Sequence, residues 1–304
     1  MRTDCPDRPH FRLPNGGEIV SRGHLACPGC GIMPAIRFAM KVLGRRTVIV
    51  APACCYAVVD GPFPYSAAGV PFLHSAFEAA ASFASGVRAG LDTTGVADVT
   101  VLAWAGDGGT FDIGLQSLSA AAERNENMIY VCYDNEAYMN TGIQRSSATP
   151  RGAWTTTTPK GATKTERKKD LGAIMAAHRV PYFATATIAY LEDLTRKFAK
   201  ARDLGGFRML HLYAPCPTGW KADARHMVEL SRLAVRTRVF PLYEVHDGTR
   251  FEVTLDPETA PLRDYLALQG RFAEMGDAGV AAMEDEIRDR WEILQRRAAS
   301  SGRA

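Results

Sequence analysis

Two apolar runs, each breaking off into a polar turn, constrain this chain more than any other feature. Val99 to Ala105 feeds into Gly106-Asp107-Gly108-Gly109, and Met128 to Tyr133 ends at Asp134-Asn135. Short apolar runs bounded by turn residues read as strands, and strands of an α/β sheet place ligands beyond their carboxyl ends. An Asp at one strand end and an amide at the next offer hard oxygen atoms suited to Mg²⁺. That ion takes one or two protein carboxylates and fills its octahedron with phosphate oxygens and water. The pair therefore predicts a cradle for a Mg²⁺-diphosphate.

The remaining pattern alternates helix and strand. Helical spacing covers 33–43, 73–91 and 188–203, and strand-like runs lie at 47–51 and 208–214. Helix-separated strands predict an α/β fold with a mostly parallel sheet covered by helices on both faces. His74, read at a helix start, is expected to be an interface or core residue. Gly86 and Gly90 are expected to mark close packing against a neighbour. Residues 143–170 lack an apolar period, and so long a loop is functional or an interface. From about 236 the chain reads as a short hairpin (242–245 and 250–253) followed by helices. This divides it into a cofactor domain at 1–235 and a C-terminal hairpin and helical extension at 236–304, packed on that domain or on a partner. The last helix, roughly 281–298, is charge-laced and expected to be solvated or partner-facing.

Among 304 residues, 36 basic against 33 acidic side chains give a net charge of +3, which carries no argument for nucleic acid. No apolar run approaches the ~20 residues of a membrane span. The start of the chain has no apolar signal segment, so the expected location is cytoplasmic. Cytosolic thiols stay reduced, so the seven cysteines do not predict a disulfide framework. Cys132, inside an apolar run, reads as a buried structural thiol, and Cys5 gets no role. Cys27-Pro-Gly-Cys30 is a CxxC turn, while Cys55 and Cys216 each follow a strand. Four such thiolates suit a tetrahedral zinc or a [4Fe–4S] cluster. Spacing alone leaves buried loop thiols equally open, and Cys54 beside Cys55 leaves the third ligand ambiguous.

Both constellations occur together in one family. The matching segments are His24-Leu-Ala-Cys-Pro-Gly-Cys-Gly31, Pro64-Tyr65, Gly106-Asp-Gly-Gly109, Asp112-Ile-Gly114 and Tyr133 through Gln144. Ala148-Thr-Pro150, Gly152-Ala-Trp154, Cys216-Pro-Thr-Gly-Trp220 and Tyr265 through Phe272 follow in order. Over roughly residues 20–275 the chain closely resembles the β subunit of 2-oxoacid:acceptor oxidoreductases, typified by pyruvate:ferredoxin oxidoreductase (pyruvate synthase). The resemblance implies a thiamine-diphosphate-binding fold and Mg²⁺ held by Asp107, the Asn135 side chain and the Ala137 carbonyl. It implies cofactor contacts from Gly106, Gly108, Gly109 and Thr141, and a catalytic Asn140 beside the thiazolium and substrate carboxylate. Cluster ligands carry over onto Cys27, Cys30, Cys55 and Cys216, with Cys54 standing where the family usually has glycine.

The implied reaction is coenzyme A-dependent oxidative decarboxylation of a 2-oxoacid, or its reverse. Pyruvate is favoured over phenylglyoxylate, oxalate and branched-chain 2-oxoacids. The implied partners are an α subunit supplying the activating glutamate, γ and ferredoxin-like δ subunits or their fusions, and ferredoxin or another acceptor. Glu136 and Glu78 are the local stand-ins for that glutamate, and neither is expected to serve. Two other readings compete: a structural zinc- or cluster-bearing subunit with a vestigial cofactor loop, and a non-oxidative thiamine decarboxylase. His24 is read as a cofactor or coenzyme A contact or a structural histidine. Arg145 is read as a contact for substrate or diphosphate. Lys160, Lys164, Arg167, Lys168 and Lys169 are read as a solvated loop rather than a phosphate or ferredoxin site.

Overall fold

The computed structural model describes residues 17–301. The elements follow in the order β1 (Thr47–Pro52), β2 (Phe72–Ser75), β3 (Thr100–Gly106), β4 (Met128–Asp134), β5 (Tyr182–Thr187), β6 (Phe207–Tyr213), β7 (Leu242–His246) and β8 (Arg250–Leu255). Among them run the helices α1 (Ile32–Leu43), α2 (Cys55–Val59), α3 (Ala80–Thr93), α4 (Leu115–Glu123), α5 (Leu171–Ala177) and α6 (Leu191–Asp203). The rest are α7 (Pro217–Trp220), α8 (Met227–Arg236), α9 (Leu262–Ala267) and α10 (Asp277–Ser301). Cys5 lies outside the described residues.

One eight-stranded sheet has the order β2-β1-β3-β4-β6-β5-β7-β8, with its first six strands parallel and β7 and β8 antiparallel. Every residue of β4, β5 and β6 is buried, as expected of parallel strands covered on both faces. One apolar cluster joins α1 and α6 to one sheet face, and a second joins α3, α4, α5 and part of α10 to the other. No helix among the described residues is long and apolar enough to cross a membrane.

Three expectations change. The helix predicted from residue 73 starts at Ala80, because Phe72–Ser75 forms a four-residue edge strand on β1. So short a strand shows too few alternations to stand out from the alanine-rich helix behind it. His74 is accordingly an exposed edge residue, with its ring against Phe72. A Cβ at Gly86 or Gly90 would meet nothing within 4 Å, so neither marks a close contact within the chain. The last helix is not merely solvated. Val280, Met283, Ile287, Trp291 and Leu294 form a buried stripe at helical spacing, and the charges occupy its other side.

Candidate functional site

The two apolar runs become adjacent parallel strands, with Gly106 of β3 level with Tyr133 of β4. Asp107 and Asn135 therefore emerge side by side. The chain leaves β3 into a single π-helical turn, Gly108–Asp112, a distortion of helix geometry that recurs at functional sites. Gly108 within this turn and Gly114 just after it are sterically required. A Cβ on Gly108 would lie 2.3 Å from the Tyr138 ring, and one on Gly114 would lie 2.0 Å from the Gly109 carbonyl oxygen.

Asp107 is buried, and its Oδ2 accepts a 2.5 Å hydrogen bond from the Ser146 hydroxyl. Its Oδ1 faces the Asn135 carboxamide, whose outer atom lies 2.9 Å from it and 3.0 Å from the Ala137 carbonyl oxygen. With nitrogen at that place the amide donates to both oxygens. With oxygen there, three oxygens face one another, an arrangement that a cation stabilises and bare protein does not. Burial raises the Asp107 carboxyl well above its ordinary range, and the negative charge of Asp134 adds to the effect. The donor set, an anionic oxygen with two neutral ones beside a glycine-rich turn, fits Mg²⁺ and a diphosphate.

A buried charge network holds this turn. Burial opposes ionisation of Asp134, but Lys168 and His211 outweigh it and bring the carboxyl down to about 2. Lys168 lies 2.5 Å from Asp134 and 2.8 Å from Glu136, and His211 Nε2 lies 2.7 Å from Asp134. Arg271 closes the network at 2.6 Å from Glu136, with its guanidinium 4.0 Å over the Trp220 ring. Glu136 has φ of 66°, in the left-handed region that L side chains seldom adopt. Trp220 donates to the Asn135 carbonyl at 2.8 Å, and Thr149 donates to the Glu136 carbonyl at 2.7 Å. The two ion pairs and these two bonds keep the strained residue in place, and so aim the Asn135 side chain and the Ala137 carbonyl at Asp107.

Gly106, Asp107, Gly108, Gly109, Asn135, Ala137, Asn140 and Thr141 all border one cleft of about 520 Å³, together with Cys54, Cys55 and Tyr133. Asn140 and Thr141 sit on its exposed rim, where Thr141 donates to the Gln144 side chain at 2.6 Å. Glu78 is exposed and does not line the cleft, and Glu136 is spent on Lys168 and Arg271. Arg145 instead pairs with Glu166.

The solvated-loop reading of the basic stretch is wrong for Lys164 and Lys168, while Lys169 is exposed. Lys164 is buried, donates to the Thr149 carbonyl at 2.5 Å, and is lowered by burial to about 8. Lys168 is the network cation, and Lys169 bonds to the Phe111 carbonyl. Sequence reasoning also missed Ser146, Thr149 and Arg271 as supports of the turn. The available signal was a long loop rich in hydroxyls and cations beside the matched motifs, and buried charges need partners.

The thiols of Cys30, Cys55 and Cys216 form a group next to the cleft. Burial raises all three, Cys216 to about 11, and Cys55 is raised further by the neighbouring Cys216 and Cys30. Cys27 is the exposed member, one turn from Cys30, whose amide donates to its carbonyl at 3.1 Å. Cys54 instead lies buried against Tyr133 and the Gly106 backbone. No three of the four sulfurs lie within 4.8 Å of one another. A tetrahedral zinc, with Zn–S bonds of about 2.3 Å, needs closer sulfurs than that, whereas a cubane cluster spans a wider set. His24 borders the groove beside Cys27 and Cys30, and its ring accepts from the Ala26 amide at 3.4 Å. Cys132 is fully buried in β4.

Comparison with known proteins gives this geometry a context. Residues 55–212 match the thiamine pyrophosphate enzyme, C-terminal TPP binding domain. The chain is 45% identical over 296 residues to ketoisovalerate oxidoreductase subunit VorB of Pyrococcus horikoshii, covering 94% of this chain and 95% of that one. It is 50% identical over 274 residues to pyruvate synthase subunit PorB of Methanothermobacter marburgensis, covering 89% and 95%. A solved 2-oxoglutarate:ferredoxin oxidoreductase of Magnetococcus marinus shares the fold, with TM-score 0.57, 23% identity and coverage of 70% of this chain and 79% of that one. The mostly parallel sheet with its strand-end cleft is thus the fold of a thiamine pyrophosphate enzyme, and the chain belongs to the β subunits of the 2-oxoacid:ferredoxin oxidoreductases.

Proposed function

We propose that the chain is the half of a coenzyme A-dependent 2-oxoacid:ferredoxin oxidoreductase that holds Mg²⁺-thiamine diphosphate and a [4Fe–4S] cluster, with pyruvate as the first substrate. The observation that carries this reading is the convergence of Asp107 Oδ1, the Asn135 carboxamide and the Ala137 carbonyl beside the Gly106–Gly109 turn. When bound, the thiamine cofactor supplies the electron sink for decarboxylation and the cluster a one-electron acceptor. Asp107, Asn135 and Ala137 hold the cation, and the Gly108 and Gly109 backbone approaches the diphosphate without a side chain in between. Asn140 and Thr141, on the open rim, orient the cofactor and the substrate carboxylate. Among the described residues the cleft holds no glutamate to activate the cofactor, which supports an α subunit as the source of that glutamate and a chain inactive alone. The implied γ and ferredoxin-like δ subunits, or their fusions, would carry electrons onward to ferredoxin.

Cys27, Cys30, Cys55 and Cys216 are the cluster ligands in this reading, and Cys54 is a spectator because its thiol faces Tyr133. Cys55→Ser is expected to lower iron by about four atoms per chain, whereas Cys54→Ser keeps it. Iron analysis of the purified complex distinguishes the two: iron kept in Cys55→Ser would remove Cys55 from the ligand set, and iron lost in Cys54→Ser would overturn its reading as a spectator.

A branched-chain 2-oxoacid is the second reading, favoured by the VorB relative that matches 94% of this chain. The test is kcat/KM for a panel of 2-oxoacids with the α–β complex, coenzyme A and a one-electron dye. Pyruvate is expected to lead. A lead for 2-oxoisovalerate reverses the substrate assignment, and no turnover of any 2-oxoacid overturns the function.

A further inference from the structure

The β7–β8 hairpin carries a second convergence of ligand atoms, under α6 and apart from the cofactor cleft. Glu244 and His246 are two residues apart on β7 and so face the same side. Glu252 of β8 stands directly opposite Glu244 in the antiparallel register. One ligand atom from each of the three lies within 4.8 Å of the other two, and His246 Nε2 is 3.2 Å from Glu244 Oε2. Two carboxylates directly opposite on a sheet repel, and a cation between them removes that repulsion. Lys200 of α6 already bonds to Glu244, with its own side chain 37% exposed. That ammonium reaches one carboxylate of the pair, and Glu252 makes no ion pair among the described residues.

A second observation comes from β5. Tyr182 pairs in register with His246, is wholly buried, and has its hydroxyl beside the Glu244 carboxylate. That hydroxyl makes no hydrogen bond within 3.5 Å, Glu244 included. Buried hydroxyls are rarely left so, and a ligand at the cluster would supply what is missing.

We propose that Glu244, His246 and Glu252 form a binding site for a zinc-like divalent cation that ties the edge hairpin together. An imidazole among carboxylates selects zinc and its transition-metal neighbours over Mg²⁺ and Ca²⁺, which favour all-oxygen sets. Three protein ligands leave a fourth position for water, and that water gives the Tyr182 hydroxyl its partner. Lys200, which bonds to Glu244, and Arg250, which stands opposite His246 on β8, are the competing cations, and Lys200 is displaced towards solvent when the metal enters.

The test is equilibrium dialysis of the full-length chain, purified with its partner subunits, against Zn²⁺ in excess Mg²⁺. Zinc is counted as the difference between wild type and Glu252→Gln, so any zinc on cysteines cancels. Glu252 is exposed, and its substitution leaves the core intact. The expected difference is one zinc per chain at concentrations where Glu252→Gln binds at least about tenfold more weakly. Lys200→Met is expected to tighten binding several-fold by removing the competitor. Equal zinc in wild type and Glu252→Gln, or no tightening in Lys200→Met, overturns the proposal.

Discussion

Asp107→Asn is expected to lower the affinity of the chain for Mg²⁺-thiamine diphosphate by about a hundredfold or more, and the activity of the assembled complex with it. The estimate starts from the 10–100-fold typical of losing a residue that merely supports a metal ligand. Asp107 supplies the only carboxylate among the three proposed ligand atoms. The same substitution is expected not to lower the thermal stability of the cofactor-free chain. Burial and the charge of Asp134 raise the Asp107 carboxyl, so the folded chain prefers it protonated. The stability it contributes is present below the ordinary carboxylate pKa and is lost as pH rises through the raised value. Above the ordinary carboxylate pKa that preference is a burden in the cofactor-free chain, and an amide removes it. Thermal melts of wild type and variant across pH 4–8, with and without Mg²⁺-thiamine diphosphate, check both parts. The wild type is expected to gain stability with cofactor and the variant to gain none. Cofactor affinity within about threefold of wild type would remove Asp107 from the ligand set.

Arg271→Met is expected to destabilise the chain by about 3 kcal/mol, at the lower end of the range for removing one partner of a buried ion pair. The discount reflects Lys168, which stays bound to Glu136 at 2.8 Å after the guanidinium is gone. For a chain of this size that corresponds to a melting temperature lower by roughly 5 °C. The cause is electrostatic rather than steric, since methionine covers much of the same apolar surface over Trp220. Glu136→Gln combined with Arg271→Met is therefore expected to cost less than the sum of the two single changes. Cofactor affinity should fall in Arg271→Met as well, because Glu136 then lacks its main anchor in the left-handed conformation that aims Asn135 and Ala137. A variant as stable as wild type would show that Arg271 does not stabilise the turn.

The parts of the site legible in the sequence are those in which one chain segment carries the whole signal. The runs ending at Asp107 and Asn135 are local, and the rule that ligands gather at strand ends put them together before any coordinates. The supports of the same turn were not legible. Arg271 meets Glu136 from 135 residues away, and Lys168 reaches Asp134 and Glu136 from a loop whose composition resembles a solvated surface. Exposed and buried lysines look alike in sequence, because burial is decided by what packs above them. The stripe on α10 shows the same limit, since its frequent charges mask apolar positions spaced three and four apart.

By itself, then, the sequence determined the class of fold, the two strand ends that meet at the cleft, and the family. Each is written in short-range periodicity or in contiguous motifs. Only the tertiary structure decided that Cys54 packs against Tyr133, and that Lys164 and Lys168 turn inward. It alone decided that Asp134 belongs to a buried charge network instead of the cation site. Adjacent residues on a turn point in different directions, and which direction meets a partner depends on strands and loops distant in the chain.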